Sequence, residues 1–403
     1  MNLIIGSGIA AVRAVEAMRG AAYEGRLVLV SAEDSLPYEK PPLSKGFLLG
    51  RTPPDELLIQ PESFYRDMGV ELMLGQNAES LDTRARQVRL SDGRRLHFEQ
   101  LLIATGASAR RLPVPGAELD GVLTLRTRAD AEALKERLSR TRHLLVVGAG
   151  LVGLEAAASA RQLGMDVTVV ESSPAPLQRL LGSSNVATQA VEALHRANGV
   201  TVLTSTRVHA FEGKESVERA RLSNGETLAC ELVLLAVGVQ PNTGWLLGSG
   251  LLLDDGVMVD DHCRTRVPGI WAAGDVTRVL HPGEGSALRL ESYGSAHTQG
   301  IAAGQGMAGR PTPALVLPGA GSEQYGVRLQ LAGRAEGADQ AVVRGSLPDR
   351  SFVCFFLADR KPISAFAMNR PREMMAARKL IQAGLPTQPE LLQDEQCSLA
   401  PGA

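Results

Sequence analysis

The chain has 403 residues, a formal net charge of −2 at pH 7, 44% hydrophobic and 21% charged residues. That length accommodates two or three domains with full-sized cores, and the near-neutral balance gives no electrostatic footprint for nucleic acid. No uninterrupted apolar run reaches the ~18 residues of a membrane span, so neither nucleic acid nor membrane is an expected partner.

Met1-Asn2 leads straight into the apolar run Leu3-Ile4-Ile5, leaving no room for a signal or transit peptide, and a cytoplasmic location is the expectation. The run is followed by Gly6-Ser7-Gly8-Ile9-Ala10-Ala11. Residues 13–19 then read as helix and 26–30 as strand, with Glu33 just beyond. A dinucleotide needs that order. The first glycine permits the tight turn, the second leaves no Cβ in the way of the pyrophosphate, and a small third residue lets the helix pack on the strand. The helix amino terminus offers free N–H groups to the anion, and an acid about 20 positions later binds a ribose hydroxyl. Gly6, Gly8, Ala10, Ala11 and Glu33 are therefore candidate ligands of a first dinucleotide.

Lys40 and Lys45, beside Pro41 and Pro42, form a stiff, positively charged loop suited to a phosphate or a reduced flavin, or else a solvated turn. Residues 101–106 predict a buried strand ending in a turn, and 110–115, with two prolines, a linker. About 140 residues after the first glycine motif comes a second, Gly148-Ala149-Gly150-Leu151-Val152-Gly153, following the apolar Leu144 to Val147. A helix over 154–163 and a strand over 166–170, ended by Glu171, complete the same pattern. Two such units in one chain suggest two dinucleotides that exchange electrons.

Residues 233–237 read as a further strand before Gly238, and 269–275 as one ending at a glycine and Asp275. Asp275 suits a ribityl hydroxyl or, equally, a helix N-cap. A helix over about 295–307 follows. From about 315 the pattern changes to strands at 325–332, 340–344, 351–357 and 363–368, a turn at 359–362, a helix over 372–382 and a loosely held tail of about 20 residues. Cys230, Cys263, Cys354 and Cys397 show no close spacing, and the seven histidines include no H-E-x-x-H pattern. Neither a metal site nor a local redox dithiol is expected.

The chain resembles the bacterial FAD-dependent ferredoxin reductases that serve Rieske-type dioxygenases and haem-thiolate monooxygenases, a group that also includes rubredoxin reductases and apoptosis-inducing factor. The most specific match is Pro37-Tyr38-Glu39-Lys40-Pro41-Pro42-Leu43-Ser44-Lys45 against P-Y-[DE]-R-P-P-L-S-K. Further matches are Ala104-Thr105-Gly106, Leu125-Arg126-Thr127, Ala236 to Asn242, Ala273-Gly274-Asp275-Val276, Arg289-Leu290-Glu291-Ser292 and Ser322-Glu323-Gln324-Tyr325. Together they run the length of the chain, in order.

The resemblance implies an α/β fold of glutathione-reductase-like architecture. Two Rossmann-like domains are expected, FAD-binding over 1–108 and 239–314 and NAD-binding over 109–238, with a C-terminal α+β interface domain over 315–403. It assigns the first glycine motif to FAD, together with Lys40, Lys45, Thr105, Gly106, Arg126, Asp275, Val276 and Ser292. It assigns Gly148, Gly150, Leu151, Val152, Gly153, Glu171 and Gly238 to the nicotinamide nucleotide. Lys45, Glu155 and Glu291 are implied at the reacting end, the two glutamates in an orienting role. A carboxylate at Glu171 favours NADH, and Arg179 leaves NADPH open. Disulfide reductases of this superfamily carry a C-x-x-x-x-C pair after the first unit, but residues 33–60 contain no cysteine. Electrons should therefore leave to an external acceptor. The implied acceptor is a small 2Fe-2S ferredoxin feeding an oxygenase, with a rubredoxin reductase or a non-turnover flavoprotein like apoptosis-inducing factor as alternatives. Oligomeric state stays open.

Three departures stand out. Gly319-Ala320-Gly321 occupies the place of a W-F-W run, which predicts a more open flavin face. Lys40 replaces the usual arginine and loses its bidentate fork. Tyr293-Gly294-Ser295-Ala296 stands where relatives have V-Q-N-A, with Tyr293 a candidate replacement for the missing rings.

Overall fold

The computed structural model describes residues 1–182, 185–280, 287–314 and 317–400. The chain divides into two compact units, the first comprising Met1–Glu39, Pro54–Ser108 and Val239–Val316, the second Lys40–Pro53, Ala109–Gly238 and Leu317–Ala403.

In the first unit, strand Asn2–Ile5 pairs in parallel with Leu27–Val30 on one side and Gln100–Ile103 on the other. Val70–Met73 and Ile270–Ala272 extend the sheet at its two edges, also in parallel. Leu27–Val30 is buried along its whole length, as a strand covered on both faces must be. Helix Ile9–Gly20 covers one face and packs on helix Tyr293–Met307 through small residues. Ala10 and Ala14 of one approach Gly300 and Gly304 of the other so closely that a Cβ on either glycine would strike backbone. The strand order reverses between Asn2–Ile5 and Gln100–Ile103, and the first glycine turn leaves the sheet at that switch point.

The second unit repeats the plan. His143–Val147 lies between Asp166–Val170 and Leu232–Leu235, with Thr201–Leu203 and Val122–Thr124 at the edges, all parallel. The strand expected at 166–170 has those bounds. Both glycine-loop helices begin earlier than the sequence pattern suggested, at Ile9 and Leu151. Their first turns are built from the glycine motif itself, I-A-A-V and L-V-G-L, where no polar residue marks an apolar periodicity to read.

The same unit holds an antiparallel sheet in the order Gly319–Gln324, Val327–Gly333, Lys361–Met368, Ser351–Ala358 and Gln340–Ser346. Two differences from expectation stand here. Gly319–Gln324 is a strand that its composition does not announce. Tyr325, expected to open the next strand, instead lies with Gly326 in a two-residue turn at φ of 55° and 75°. Two successive left-handed residues match the twist of a tight hairpin, though a tyrosine there bears strain that a glycine would not.

The expected loose tail is also corrected. Leu392 is buried in the core beside Leu380, and the half-buried Leu399 packs against the same cluster. The buried Arg344 guanidinium donates to the carbonyls of Leu392 (3.4 Å), Glu395 (3.1 Å), Cys397 (3.0 Å) and Asp394. One fixed cation thus satisfies four backbone acceptors that no regular element supplies. Arg344→Met should cost about 2 kcal/mol and expose residues 385–400. The check is limited proteolysis with mass mapping, where cleavage in that segment should become much faster than in the parent protein.

Candidate functional site

The two glycine turns have the same steric logic. Gly6 and Gly148 sit at φ of 119° and 106°, and a Cβ on either would collide with a backbone carbonyl, that of Ala104 or of Ala236. Only glycine fits. At Gly8 and Gly150, by contrast, a Cβ would meet nothing within 4 Å, so the space beside each helix start is open. Both residues are N-caps without a side-chain acceptor. Helix-end N–H groups left without a side-chain partner, facing open space at a sheet switch point, fit a pyrophosphate. Ala11 and Gly153 are buried where helix meets strand, and Ala10 lies against Gly300. Leu151 is half-buried and Val152 exposed on the first helical turn.

The ribose-binding candidates differ. Glu171 reaches back to its own loop, accepting from Ala149 N–H at 2.7 Å and from Ser173 N–H at 2.7 Å. Glu33 accepts from the Tyr38 hydroxyl at 2.6 Å. Each carboxylate is therefore fixed in direction. Arg179 Nη1 comes within 3.8 Å of the position a Cβ would take on Gly238, at the end of the neighbouring strand.

Elsewhere in the first unit, Thr105 and Asn242 exchange two hydrogen bonds, Oγ1 to carbonyl at 3.0 Å and Nδ2 to carbonyl at 2.9 Å, which pins the turn at Gly106 (φ 61°). Asp275 and buried Val276 follow strand Ile270–Ala272. Gln299 fixes their turn: its Oε1 accepts from Gly274 N–H and Thr277 Oγ1, each at 2.8 Å, and its Nε2 donates to Ser295. Ser292 caps helix Tyr293–Met307, accepting from Ser295 N–H at 3.2 Å. Glu291 pairs with Arg289, which also holds Asp255. Tyr293 donates its hydroxyl to Glu39 at 2.7 Å.

In the second unit Arg126 is half-buried, its N–H donating to Asp130 ahead of the Thr127 cap. Lys40 precedes the short 3-10 turn Pro41–Ser44, which delivers Ser44 and then Lys45 to Glu155. Glu155 lies one turn into helix Leu151–Gln162 and is 5% exposed. Its Oε2 receives Lys45 Nζ at 2.9 Å and the Ser44 hydroxyl; Oε1 receives the Ser322 hydroxyl at 2.7 Å. Ser159, four residues on and so on the same helix face, donates to the Ser44 carbonyl at 2.8 Å. The two groups lock the Lys45 turn from opposite ends of one residue. A buried carboxylate with an ammonium and two hydroxyl donors can accept further hydrogen bonds and fix the orientation of a polar group beside it, without acting as a nucleophile.

Sequence reasoning quoted Ser322, Gln324 and Tyr325 only as a motif and missed His195. The available signal was a polar residue on the buried stripe Thr188, Val191, His195 of helix Val186–Ala197. Gln324 Nε2 donates to Ser322 at 3.1 Å, Gln324 Oε1 faces His195 Nε2 at 2.8 Å, and His195 Nδ1 faces the Tyr325 hydroxyl at 3.3 Å. Burial pushes the His195 pKa down to about 4, only partly offset by Gln324, and the ring is neutral at pH 7.

Residues 2–300 match the model of the pyridine nucleotide-disulphide oxidoreductase family and residues 321–402 that of the reductase C-terminal domain. The chain belongs to this oxidoreductase family. It is similar to rhodocoxin reductase of Rhodococcus erythropolis, 36% identical over 98% of this chain and 93% of that one. The ferredoxin–NAD(+) reductase subunit of the benzene 1,2-dioxygenase system of Pseudomonas putida is 36% identical over 97% and 94%. Among solved structures, the ferredoxin reductase for the CYP199A2 system from Rhodopseudomonas palustris superposes with a TM-score of 0.95 at 34% identity, covering 99% of this chain and 98% of that one. The reductase of a covalent putidaredoxin reductase–putidaredoxin complex gives 0.93 at 32%, covering 99% and 96%.

The depressed His195 pKa makes folding stability pH-dependent with a definite sign. The unfolded chain takes up the proton near pH 6.5 and the folded one only near pH 4, so stability is full above pH 6.5 and is lost as pH falls towards about 4. The total is roughly 3 kcal/mol at most. His195→Gln should therefore show a shallower fall in Tm between pH 7 and 5 than the parent protein, measured by thermal denaturation in matched buffers.

Proposed function

We propose that this protein is an FAD-dependent NADH:ferredoxin oxidoreductase that supplies electrons one at a time to a small 2Fe-2S ferredoxin of an oxygenase system. The observation that carries the reading is the buried Glu155–Lys45 pair, set one helical turn beyond a pyrophosphate-shaped glycine loop, in a chain with a second such loop and no cysteine between residues 33 and 60. When bound, FAD accepts two electrons as hydride from NADH and releases them singly to an iron–sulfur acceptor.

The protein's own residues bind, orient and exclude. Gly6, Gly8, Ala10 and Ala11 bring backbone N–H groups to the FAD pyrophosphate, and Glu33 takes its ribose. Thr105, Gly106, Asp275, Val276 and Ser292, with Lys40, Lys45 and Arg126, hold the rest of that nucleotide. Gly148, Gly150, Leu151, Val152, Gly153 and Gly238 do the same for NADH. Glu171 accepts from the 2′-hydroxyl and repels a 2′-phosphate. Lys45, Glu155 and Glu291 orient the nicotinamide and need no covalent step. The benzene 1,2-dioxygenase subunit is by name a ferredoxin–NAD(+) reductase, rhodocoxin reductase is by name a reductase of rhodocoxin, and the covalent complex joins putidaredoxin reductase to putidaredoxin. These support the ferredoxin acceptor. A cytoplasmic enzyme, working where it meets NADH and its ferredoxin, is part of this reading.

Purified protein should oxidise NADH at the expense of a 2Fe-2S ferredoxin in steady state, with NADPH at least about tenfold poorer in kcat/KM because of Glu171. Rapid reduction of the bound flavin with no electron transfer to any 2Fe-2S ferredoxin tried would overturn the acceptor.

Glu155→Gln should raise the KM for NADH by about five- to tenfold while flavin content stays near that of the parent. Unchanged nucleotide kinetics would remove Glu155 from the nicotinamide site.

A further inference from the structure

We infer that His195 is a positioning residue for Glu155, acting through a chain of hydrogen bonds, Tyr325–His195–Gln324–Ser322, in which every donor points towards the carboxylate. The inference deepens the role proposed for Glu155 and rests on that reading for its kinetic consequence.

The direction of the chain follows from the chemistry of its members. Glu155 Oε1 can only accept, so Ser322 donates to it, at 2.7 Å. The Ser322 oxygen is then free to accept, and Gln324 Nε2 donates to it at 3.1 Å. That orientation leaves Gln324 Oε1 facing His195 Nε2 at 2.8 Å, so the neutral ring carries its hydrogen on Nε2. Nδ1 becomes the acceptor for the Tyr325 hydroxyl at 3.3 Å. The opposite tautomer would set two acceptors against each other unless the amide of Gln324 flipped. A flipped amide would draw the Ser322 hydroxyl towards its own oxygen and away from Glu155.

Four features tie this polarity to the site. His195, Ser322 and Gln324 are all buried, at 0%, 7% and 1% exposure, so water does not compete for the bonds. Ser322 and Gln324 are two apart on strand Gly319–Gln324 and share its buried face. The Tyr325 ring meets the His195 ring edge-to-face at 5.3 Å, holding the imidazole plane. Finally, Glu155 divides its oxygens: Oε2 is taken by Lys45 and Ser44, and Oε1 by Ser322. Removing the chain would leave the carboxylate anchored at one oxygen and free to rotate about its last bond. The chain does not conduct protons, because passage through Gln324 would require an imidic acid tautomer of its amide. Its work is orientation and polarisation.

The test is stopped-flow reduction of the FAD-loaded protein by NADH, resolving nucleotide affinity from limiting rate, in His195→Leu, His195→Gln, Ser322→Ala and Glu155→Gln and in the His195→Leu/Glu155→Gln double variant. His195→Leu and Ser322→Ala should each lower the ratio of limiting rate to nucleotide Kd by about three- to tenfold. The KM for ferredoxin and the flavin content should not move. His195→Gln, which keeps a donor amide, should recover to within about twofold of the parent. In the Glu155→Gln background, His195→Leu should add no further loss. Parent-like kinetics in Ser322→Ala, or a full additional loss from His195→Leu in the double variant, would overturn the proposal. Should His195→Leu fail to fold, Ser322→Ala decides alone. Should Glu155→Gln itself leave NADH kinetics unchanged, the nicotinamide reading of Glu155 fails separately. Thermal unfolding of the four proteins of the cycle then decides: non-additive changes in Tm support the chain, additive ones overturn it.

Discussion

A carboxylate buried to 5% exposure is the group around which the second unit is assembled. Removing such a charge from water costs several kcal/mol, and the cost is offset only when every lone pair finds a donor. The three donors to Glu155 come from two stretches distant in sequence from it and from each other: Ser44 and Lys45 from a proline-stiffened turn, and Ser322 from the first strand of the C-terminal sheet. Losing any one of them leaves a buried carboxylate oxygen with fewer donors. This constraint gives a physical reason for the grouping of Lys40–Pro53, Ala109–Gly238 and Leu317–Ala403 in one compact unit. The proline pair that brings Lys45 to its partner limits the turn's freedom before folding, so less entropy opposes the contact.

The phosphate turns obey a different rule, steric and local. Gly6 and Gly148 are forced by a carbonyl on the neighbouring strand, while Gly8 and Gly150 face open space. One glycine in each pair thus serves the fold and the other leaves room for a ligand. Glu171 is tied to its own loop, accepting from Ala149 N–H with the same carboxylate that the proposed function gives to a ribose. A side chain already committed to the turn cannot swing aside for a bulky anion.

What was legible in the sequence follows from this division. The βα units could be read because their determinants are neighbours in the chain; strand Asp166–Val170 and its terminal acid were placed correctly from pattern alone. Strand Gly319–Gln324 was not legible. Its G-A-G-S-E-Q composition has little β propensity, and the strand exists because six residues pair with Val327–Gly333. Tyr325 looked like strand sequence, yet it turns left-handed where its hydroxyl and ring are held by His195, 130 residues away. The tail was misread because its anchor, Arg344, lies about 50 residues upstream. For Tyr325 and the tail the deciding partner is remote in sequence and polar, and so leaves no periodicity; for Gly319–Gln324 it is the adjoining hairpin strand, whose pairing overrides a weak local propensity.

The departure at Gly319-Ala320-Gly321 gains a sharper meaning from the same strand. Alternation places Ser322 and Gln324 on one face with Ala320, and Gly319 and Gly321 on the other. The two glycines are not equivalent. A Cβ at 319 would stand 2.7 Å from Arg378 Nη2 and 2.7 Å from the Leu331 carbonyl, whereas one at 321 would meet only that of Leu329, at 4.0 Å. The bulk absent at 319 is thus replaced by an exposed guanidinium from helix Pro371–Ala383, and only 321 is bare. The changes at 319 and 321 fall on the face opposite the donors to Glu155, while Ala320 shares the face of Ser322. A strand built this way can exchange aromatic surface for glycine and arginine on one side without disturbing the hydrogen bonds on the other. On the face that holds Glu155 the change is confined to Ala320, and the hydrogen bonds of Ser322 and Gln324 are in place beside it, while the other face is recast.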